Sequence, residues 1–397
     1  MNIICIGPAH PLRGGIANFN TALCQHFIDA GHQASIISFS LQYPGILFPG
    51  KTQYEVGRGP AGIPISSLIN SVNPFSWIKT AMAIRSASPD LIVIHHWMPF
   101  IAVSLGFIIR RLKKKVSCPV LAVAHNVIPH EKRLGWKSMS SYLLRACDGY
   151  IVLSASLLDD LNIFTDTTRK SFVPHPVYDH FGEAVDREEA AERLGLDPSL
   201  RYLLFFGMIR KYKGLDLLIK AFGEMKSRVP DLRLIVAGEF YAGEKEYQDL
   251  IKKTGLGDRV FLRDHFIPAG EVRYYFSLAD LVTQPYRSAT QSGVSQVAYH
   301  FGVPMLVTDV GGLPEIVPHM KVGYVTPVDE HEIAEAITDF FEKGRAAFFR
   351  ENIRTEKQRF TWEAMTSRIL ELAQEIRQGQ GNFFSAHSSG NMRQNQK

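Results

Sequence analysis

The sequence predicts an α/β protein with two doubly wound domains that face a central cleft. Three observations lead to this prediction. With 397 residues, of which 46% are hydrophobic and 21% charged, the chain has a globular composition and is too long for one ordinary core. Short apolar runs alternate with helical patterns along the chain. The runs are continuously apolar, as in parallel sheets that carry helices on both faces.

The first half of the chain starts with a strand at Asn2–Ile6, which ends at Gly7. A loop with Gly14 and Gly15 follows, and apolar residues at helical spacing then predict a helix to about Ala30. Further strands are predicted at Gln33–Phe39, Leu91–Ile94, Val120–Ala124 and Tyr150–Leu153. This order predicts a first domain over residues 1–178.

The second half repeats the alternation over residues 179–360, which predicts a second domain. Its strands are predicted at Tyr202–Phe206, Leu232–Ala237, Val260–Leu262, Leu281–Thr283 and Pro304–Thr308. Pro174, Pro176 and Gly182 interrupt regular structure and mark the boundary. A last helix is predicted at 361–378, and the tail 379–397 is rich in Gly, Ser, Asn and Gln, which predicts disorder.

Composition excludes several classes of protein. The longest apolar stretch, residues 99–109, is about half of the ~20 residues that a membrane span needs. We see no secretory signal, and the four cysteines form no Cys-x-x-Cys pair, so we expect a cytoplasmic protein without a zinc site or disulfide framework. Gly7 lies too far from Gly14 and Gly15 for a dinucleotide fingerprint, which argues against a nicotinamide or flavin enzyme.

The net charge of +5 is unevenly distributed. Residues 1–180 carry 16 Lys and Arg against 9 Asp and Glu, and the remainder carries 28 against 30. A basic first half suits an anionic membrane or a phosphorylated acceptor, although solvated surface charge explains it equally well. Arg110–Lys115 follow an apolar helix, so we expect peripheral contact with the inner face of a membrane there, with ordinary helix-end lysines as the alternative. No nucleic-acid motif is present.

One motif is rejected. Gly45–Thr52 matches the G-x-x-x-x-G-K-[ST] phosphate loop, whose mechanism requires a helix to start directly after it. The following residues 53–64 contain three glycines and two prolines, and Pro49 inside the loop has no N–H to offer a phosphate. We interpret this segment as a long loop.

The strongest signal for chemistry is the segment Phe205–Phe222, in which a buried strand ends at Gly207 and a helix starts near Gly214. Between them lie Arg210 and Lys213. Two cations at the carboxyl end of a strand suit a departing diphosphate, and each well-placed group of this kind contributes about 3–4 kcal/mol to catalysis. A charged surface turn is the alternative.

Two further loops follow strand ends. Ser292 and Gly293 stand where a helix should begin, and a helix N-terminus favours an anion. Gly311 and Gly312 open the segment G-G-L-P-E, which ends at Glu315. Taken singly, each is also explained as an ordinary cap or turn.

Together these stretches resemble the retaining glycosyltransferase family 4, the group 1 glycosyl transferases with the GT-B fold of two Rossmann-like domains. The N-terminal marks are the Gly14-Gly15 loop and His125 in A-H-N-V-I-P-H-E. The C-terminal marks are the two cations, A-G-E ending at Glu239, and G-G-L-P-E. Phe360-Thr361-Trp362 resembles the start of the terminal helix that crosses back to the N-terminal domain.

The resemblance implies a hexosyltransferase-like enzyme (EC 2.4) that acts on a nucleotide-diphosphate sugar without a metal or other cofactor. It implies a saccharide or lipid-linked acceptor, as in polysaccharide biosynthesis, and retention of the anomeric configuration. Catalytic roles fall to His125, Arg210 and Lys213. Donor-binding roles fall to Gly14, Gly15, Glu239, Ser292, Gly293, Gly311, Gly312 and Glu315, so that residues 1–178 would form the acceptor domain and residues 179–360 the donor domain.

The sequence departs from the family in the donor loop. Members commonly carry two glutamates eight positions apart, whereas this chain has Ala289 and Val297 at those positions. As a hypothesis, Gln296 supplies the ribose contact instead. Many relatives also place the arginine directly after the strand-end glycine, where this chain has Met208.

Two other classes of function stay open. The missing glutamates would also suit a catalytically impaired sugar-nucleotide-binding or scaffold protein. A sugar-nucleotide epimerase can share the two-domain fold, but the motifs fit transferases better.

Overall fold

A computed structural model describes residues 1–45, 52–55, 57, 59–128, 135–178, 181–241 and 243–391, with side chains as far as residue 379. The chain divides into two compact units. One comprises the described residues up to Pro174 and those from Trp362 onward, and the other comprises His175–Thr361. The division after Pro174 comes slightly before the expected boundary at residue 178.

The first unit is built on a seven-stranded parallel sheet with the order β3-β2-β1-β4-β5-β6-β7. Its strands are β1 Asn2–Ile6, β2 Gln33–Leu41, β3 Ile65–Asn70, β4 Leu91–His96, β5 Val120–Ala124, β6 Gly149–Val152 and β7 Lys170–Phe172. Its helices are α1 Gly15–Asp29, α2 Pro74–Ser86, α3 Pro99–Leu112, α4 Trp136–Leu144, α5 Ser156–Asn162 and, from the end of the chain, α14 Trp362–Asn391.

The second unit repeats this plan with six parallel strands in the order β10-β9-β8-β11-β12-β13. Its strands are β8 Arg201–Phe206, β9 Leu232–Ala237, β10 Val260–Arg263, β11 Leu281–Gln284, β12 Met305–Thr308 and β13 Gly323–Thr326. Its helices are α6 Arg187–Leu194, α7 Leu215–Met225, α8 Glu244–Lys253, α9 Ala269–Leu278, α10 Gly293–Phe301, α11 Leu313–Ile316, α12 Glu330–Glu342 and α13 Ala346–Glu356.

These two sheets confirm the predicted α/β class and its doubly wound domains. The ten predicted strands all occur, with ends that shift by at most two residues. The structure adds β3, β7 and β13, which the sequence pattern did not reveal. Their segments, I-S-S-L-I-N, K-S-F and G-Y-V-T, contain polar residues or glycine, so no continuous apolar run marks them.

The last helix, α14, completes the core of the first unit. Trp362 is 4% exposed, and its ring lies 5.1 Å from that of Phe19 on α1. Met365, Ile369 and Ile376 are buried in the same cluster. The predicted last helix therefore exists, and its apolar face belongs to a core that begins at the other end of the chain.

Two predictions concern irregular segments, the C-terminal tail and the loop Gly45–Thr52. The predicted disordered tail from residue 379 stays a prediction, and the structure describes α14 as far as Asn391. Residues 392–397 lie outside the described residues. The rejected phosphate loop also lies mostly outside them, but Tyr54, shortly after it, forms an antiparallel bridge to Leu12 instead of a helix.

Candidate functional site

The second unit has its topological switch point between β8 and β11. The chain leaves β8 toward β9 on one side, and β11 pairs with β8 on the other. Connections after these strands diverge, and a crevice at their carboxyl ends is where doubly wound folds bind ligands. The loop after β8 carries Arg210 and Lys213, and the loop after β11 leads to Ser292 and Gly293.

Arg210 and Lys213 project from a short 3-10 turn at this end of the sheet. The Arg210 guanidinium lies over the Tyr241 ring, 4.6 Å from its centroid. The Lys213 ammonium lies 5.5 Å from the centroid of the Tyr286 ring. It also stands 3.3 Å from the position of a Cβ on Gly207, so it sits directly above the end of β8. The turn thus presents two cations at one strand end.

These two cations oppose each other electrostatically. Burial and the positive charge of Arg210 lower the pKa of Lys213 from 10.5 to about 8. An anion that bound beside Lys213 would reverse this shift, because opposite charge favours the protonated amine. The arrangement is therefore suited to an anionic group such as a diphosphate.

Close backbone approaches tie the surrounding loops together. Gly214 has φ +69°, and a Cβ there would lie 2.0 Å from the carbonyl oxygen of Pro285. Gly311 has φ +53°, and a Cβ there would lie 1.5 Å from the carbonyl oxygen of Ala289. Only glycine fits at both positions, so the loops after β8, β11 and β12 pack against one another.

A bidentate ion pair fixes the same loops from the outside. Arg287 donates to both carboxylate oxygens of Asp216 at 2.8 and 2.7 Å, and to the carbonyl oxygen of Lys211. The pair holds the loop after β11 to the first turn of α7. The Asp216 carboxylate is thus bound by Arg287 and not by Arg210 or Lys213.

Helix α10 begins at Gly293 with no acidic residue in its first turn. Ser292 is its N-cap and is 6% exposed, but its hydroxyl makes no capping bond. Its Oγ lies 3.5 Å from the Tyr286 hydroxyl instead. A Cβ on Gly293 would meet the Tyr178 ring at 3.5 Å. The predicted helix N-terminus is therefore present beside Tyr286, the ring that faces Lys213.

Gln296 on α10 is completely buried, and among the described residues neither its amide nitrogen nor its amide oxygen has a hydrogen-bond partner. Buried amides without partners are uncommon and cost about 1–3 kcal/mol. Ala289 and Val297 are 8% and 4% exposed and belong to the apolar core of this unit. The two positions at which the family resemblance leads us to expect glutamates are thus occupied by apolar side chains. Gln296, which is next to Val297 in the sequence, has an amide without a partner among the described residues.

The remaining predicted donor residues also follow strand ends. Glu239 comes after β9 and is 6% exposed, and its carbonyl oxygen accepts from the Ile209 N–H. Gly312 is the N-cap of α11, and Glu315 is half-buried in that four-residue helix. All of them lie at the same edge of the sheet as the cations, since parallel strands end there together.

In the first unit, Gly14 and Gly15 form the exposed N-terminus of α1, which has no acidic residue in its first turn. His125 follows β5 and is 6% exposed. Its Nε2 lies 2.9 Å from Nδ1 of His95, which is the penultimate residue of β4 and is completely buried. Burial lowers the pKa of His95 to about 3, so this residue is a neutral partner that orients the His125 ring.

The predicted basic segment Arg110–Lys115 is partly engaged within the first unit. The Arg110 guanidinium donates twice to the carbonyl oxygen of Tyr142, and Lys113 pairs with Asp148 at 2.5 Å. The apolar side chains of α3 are buried in the core. Peripheral membrane contact through Arg110–Lys115 therefore stays a prediction that rests on the cations of this segment alone.

Sequence reasoning missed two residues beside the cations of the second unit and one residue beside His125 in the first unit. Tyr241 and Tyr286 cover the two cations, and His95 holds His125. Tyr286 directly follows the strand-end residue Pro285, and His95 directly follows the predicted strand that ended at Ile94. The rule that strand ends carry the chemistry would have singled out these two, whereas Tyr241 meets Arg210 only in the folded unit.

The described residues contain no group of three or more His, Cys, Asp or Glu side chains placed to hold a metal ion. Within the same residues, no helix combines the length and the hydropathy needed to cross a bilayer.

Two protein-family models match the chain, one to each unit. The model for "Glycosyltransferase Family 4" matches residues 13–177. The model for "Glycosyl transferases group 1" matches residues 186–359. The second match contains Arg210, Lys213 and the α10 N-terminus, and the first contains Gly14, Gly15 and His125.

Curated relatives are similar over part or most of the chain. A lipopolysaccharide core biosynthesis mannosyltransferase of Rhizobium meliloti is 28% identical over 269 residues, which cover 65% of this chain and 70% of the relative. A D-inositol 3-phosphate glycosyltransferase of Catenulispora acidiphila is 26% identical over 71% of both chains. The corresponding enzyme of Pseudarthrobacter chlorophenolicus is 34% identical, but the alignment spans only 36% of its length.

Solved structures share the fold at low identity. A sucrose-phosphate synthase from Thermosynechococcus elongatus superposes with a TM-score of 0.72 and 18% identity, covering 97% of this chain and all of that one. An Anabaena protein, HepE, in complex with UDP gives a TM-score of 0.69 at 17% identity, covering 96% of this chain and 100% of that one.

Proposed function

Since its family matches and fold make this chain a glycosyltransferase of the GT-B type, we propose that it transfers a sugar from a nucleotide-diphosphate donor to a saccharide or lipid-linked acceptor. The observation that carries the proposal is the pair Arg210 and Lys213 at the switch point of the second unit. Among the described residues neither cation is paired with an acidic side chain, and burial together with the positive charge of Arg210 lowers the pKa of Lys213 to about 8.

In the proposed reaction, the bond between the anomeric carbon and the β-phosphate oxygen breaks, and the acceptor hydroxyl forms a new bond to that carbon. The acceptor proton passes to the departing phosphate oxygen. Arg210 and Lys213 oppose the negative charge that grows on the diphosphate, which is where electrostatic stabilisation acts most strongly. Leaving and entering groups on the same face of the sugar give retention of the anomeric configuration.

The first unit contributes an anion-favouring helix N-terminus at Gly14 and Gly15 and an oriented imidazole at His125. Backbone N–H groups at the start of α1 suit a phosphate or an acceptor group. His125 would contact the transferred sugar, with its ring held by the neutral His95 at 2.9 Å.

The substrate class rests on the relatives. One is named as a mannosyltransferase of lipopolysaccharide core biosynthesis, and others as inositol phosphate glycosyltransferases. One neighbour in fold was solved with UDP-glucose. We carry over the general chemistry, a nucleotide sugar and a hydroxyl acceptor, and place this chain in saccharide assembly.

We also propose that transfer needs no metal ion, because the two cations and the α10 N-terminus take over the neutralisation of the diphosphate. Turnover should then be the same after dialysis against EDTA. Loss of turnover that is restored by Mg²⁺ or Mn²⁺ would contradict this part of the proposal.

A binding or scaffold protein is the second candidate, and Ala289 and Val297 are the observation that favours it. Both side chains lie in the apolar core and cannot hydrogen-bond a ribose or a sugar. This candidate predicts nucleotide-sugar binding without turnover.

The proposal is tested by titrating the protein with UDP and GDP in a calorimeter and by following the product of the preferred donor by NMR. An anomeric coupling constant that matches the donor configuration supports retention. An inverted product would overturn the proposed stereochemistry, and the absence of affinity for any nucleoside diphosphate would overturn the assignment of the site.

A further inference from the structure

His95 and His125 form a hydrogen-bonded pair of imidazoles at the carboxyl ends of β4 and β5. Nδ1 of His95 lies 2.9 Å from Nε2 of His125. A neutral imidazole carries one N–H and one acceptor nitrogen, so one ring donates across this distance and the other accepts. The direction of this hydrogen bond decides whether the second nitrogen of His125 carries a proton.

The His95 ring is held by packing within the first unit. Phe19 on α1 meets it nearly edge-on, with ring centroids 5.6 Å apart, and meets the His125 ring in the same way at 4.9 Å. A Cβ on Gly7, the residue after β1, would lie 2.8 Å from Cδ2 of His95. Gly7 has no positive φ, so its role here is to leave room for the ring. These contacts restrict the orientation of His95.

The surroundings of His95 favour one of its two tautomers. Burial lowers the pKa of His95 to about 3, so the ring is neutral at physiological pH. Among the described residues its buried Nε2 has no hydrogen-bond partner, and Asn20, which also lies against Gly7, has an Oδ1 that is likewise without one. A proton on Nε2 would be a buried donor without an acceptor, which is rare in folded proteins. A proton on Nδ1 is instead used in the bond to His125.

We propose that His95 is a positioning residue that donates its Nδ1–H to Nε2 of His125 and thereby keeps the proton of the neutral His125 ring on Nδ1. The inference rests on the proposed function, in which His125 contacts the transferred sugar. A protonated nitrogen cannot accept, so His125 donates a hydrogen bond to a sugar oxygen from Nδ1 and does not act as a base there. This role agrees with a reaction in which the acceptor proton passes to the departing phosphate oxygen.

The first test is the tautomer of His125 in the full chain, read from long-range ¹H–¹⁵N NMR spectra of ¹⁵N-labelled protein. The spectra distinguish a protonated ring nitrogen from an unprotonated one, and the variant His125→Gln identifies the signals of His125 among the 14 histidines. At neutral pH we expect a protonated Nδ1 and an unprotonated Nε2. A proton on Nε2 of His125 would overturn the proposal.

Two variants of His95 separate the hydrogen bond from the packing of the ring. His95→Phe keeps a ring of similar volume and removes the donor. His95→Asn loses volume but keeps a donor, because its side-chain nitrogen is attached to Cγ, as Nδ1 is in histidine. We expect His125 to lose its single tautomer in His95→Phe and to keep it in His95→Asn. The kcat for sugar transfer should fall about tenfold in His95→Phe and recover in His95→Asn. The donor KM should change little, since the two cations are untouched.

His96 provides the matched control on the same strand. It is 1% exposed, burial lowers its pKa to about 4, and its Nε2 has no partner among the described residues. As the next residue along β4, it directs its side chain to the opposite face of the sheet from His95. His96→Phe should leave both the His125 tautomer and kcat unchanged. Thermal unfolding of every variant shows whether the fold is intact.

Three further results would overturn the proposal. One is a His125 tautomer that stays the same in His95→Phe, and another is an equal loss of kcat in His95→Phe and His95→Asn, which would report packing alone. The third is a shift of the His125 tautomer in His96→Phe as large as that in His95→Phe. Failure of the proposed function is seen separately. An unaltered chain that transfers no sugar contradicts that function, whereas the NMR spectra still test the role of His95.

Discussion

At the scale of residues, the site depends on the protonation of Lys213. Burial and the nearby Arg210 lower its pKa to about 8, so in the free enzyme the ammonium is fully present below that pH and is lost above it. We therefore expect kcat/KM for the donor to fall as the pH rises through about 8. A bound diphosphate raises the pKa, so kcat should fall only at higher pH.

Variants of Lys213 identify the group that titrates. Lys213→Ala should lower kcat by about 10²–10³-fold, as for the loss of one group that stabilises the transition state. Lys213→Arg keeps its charge and should remove the fall above pH 8. If the arginine variant shows the same alkaline fall, another group is responsible.

Gln296 makes a second prediction at this scale. Gln296→Leu removes an amide that is buried without a partner in the described part of the chain, so the free energy of unfolding should stay equal or rise. If the amide binds the donor ribose, nucleotide affinity should fall about fivefold, which corresponds to about 1 kcal/mol. Calorimetric titration and thermal unfolding measure the two effects.

The control is Gln284→Leu. Gln284 is equally buried, but its amide exchanges hydrogen bonds with the Ser295 hydroxyl at 3.0 and 3.1 Å. Its loss should lower stability, because Ser295 is left unpaired. Unchanged nucleotide affinity in Gln296→Leu would remove Gln296 from the site.

At the scale of elements, the loops after β8, β11 and β12 act as one support for the cations. Gly311→Ala would place a Cβ 1.5 Å from the Ala289 carbonyl oxygen, so the loops must separate. We expect a loss of unfolding free energy of more than about 2 kcal/mol and weaker donor binding. Denaturant titration and nucleotide titration measure these losses.

Gly302→Ala separates backbone strain from the steric clash. Gly302 has φ +67°, similar to Gly311, but a Cβ there meets no atom within 4 Å. This variant should lose about 1 kcal/mol and bind nucleotide normally. Equal losses in the two variants would show that contact between the loops does not support the site.

The elements themselves could be predicted where the signal is local. Apolar runs such as Leu232–Ala237 predicted the strand bounds correctly, and the helix predicted to about Ala30 corresponds to α1, which ends at Asp29. Strand β7 could not be predicted, because its three residues are positioned by pairing with β6 and carry no pattern of their own. Contacts such as Tyr241 over Arg210 arise only when separate loops meet.

At the scale of the whole molecule, the chain order of motifs predicted two doubly wound domains and the strand ends that carry chemistry. The sequence could not predict which helix would keep large apolar side chains exposed to solvent. Helix α3 is the more apolar by sequence, and most of its apolar side chains are buried, whereas α2 keeps Phe75 and Met82 exposed. Whether a helix face stays exposed depends on how the helix packs against the sheet and against its neighbours.

The central claim is that the cations of the second unit serve sugar transfer from a nucleotide diphosphate. Its most direct test is a panel of UDP- and GDP-sugars incubated with the chain and a saccharide acceptor, with released nucleoside diphosphate measured by chromatography. The account predicts release with at least one donor, dependent on acceptor, and its loss in the double variant Arg210→Ala/Lys213→Ala. Donor binding without release, or release that survives in the double variant, would contradict it.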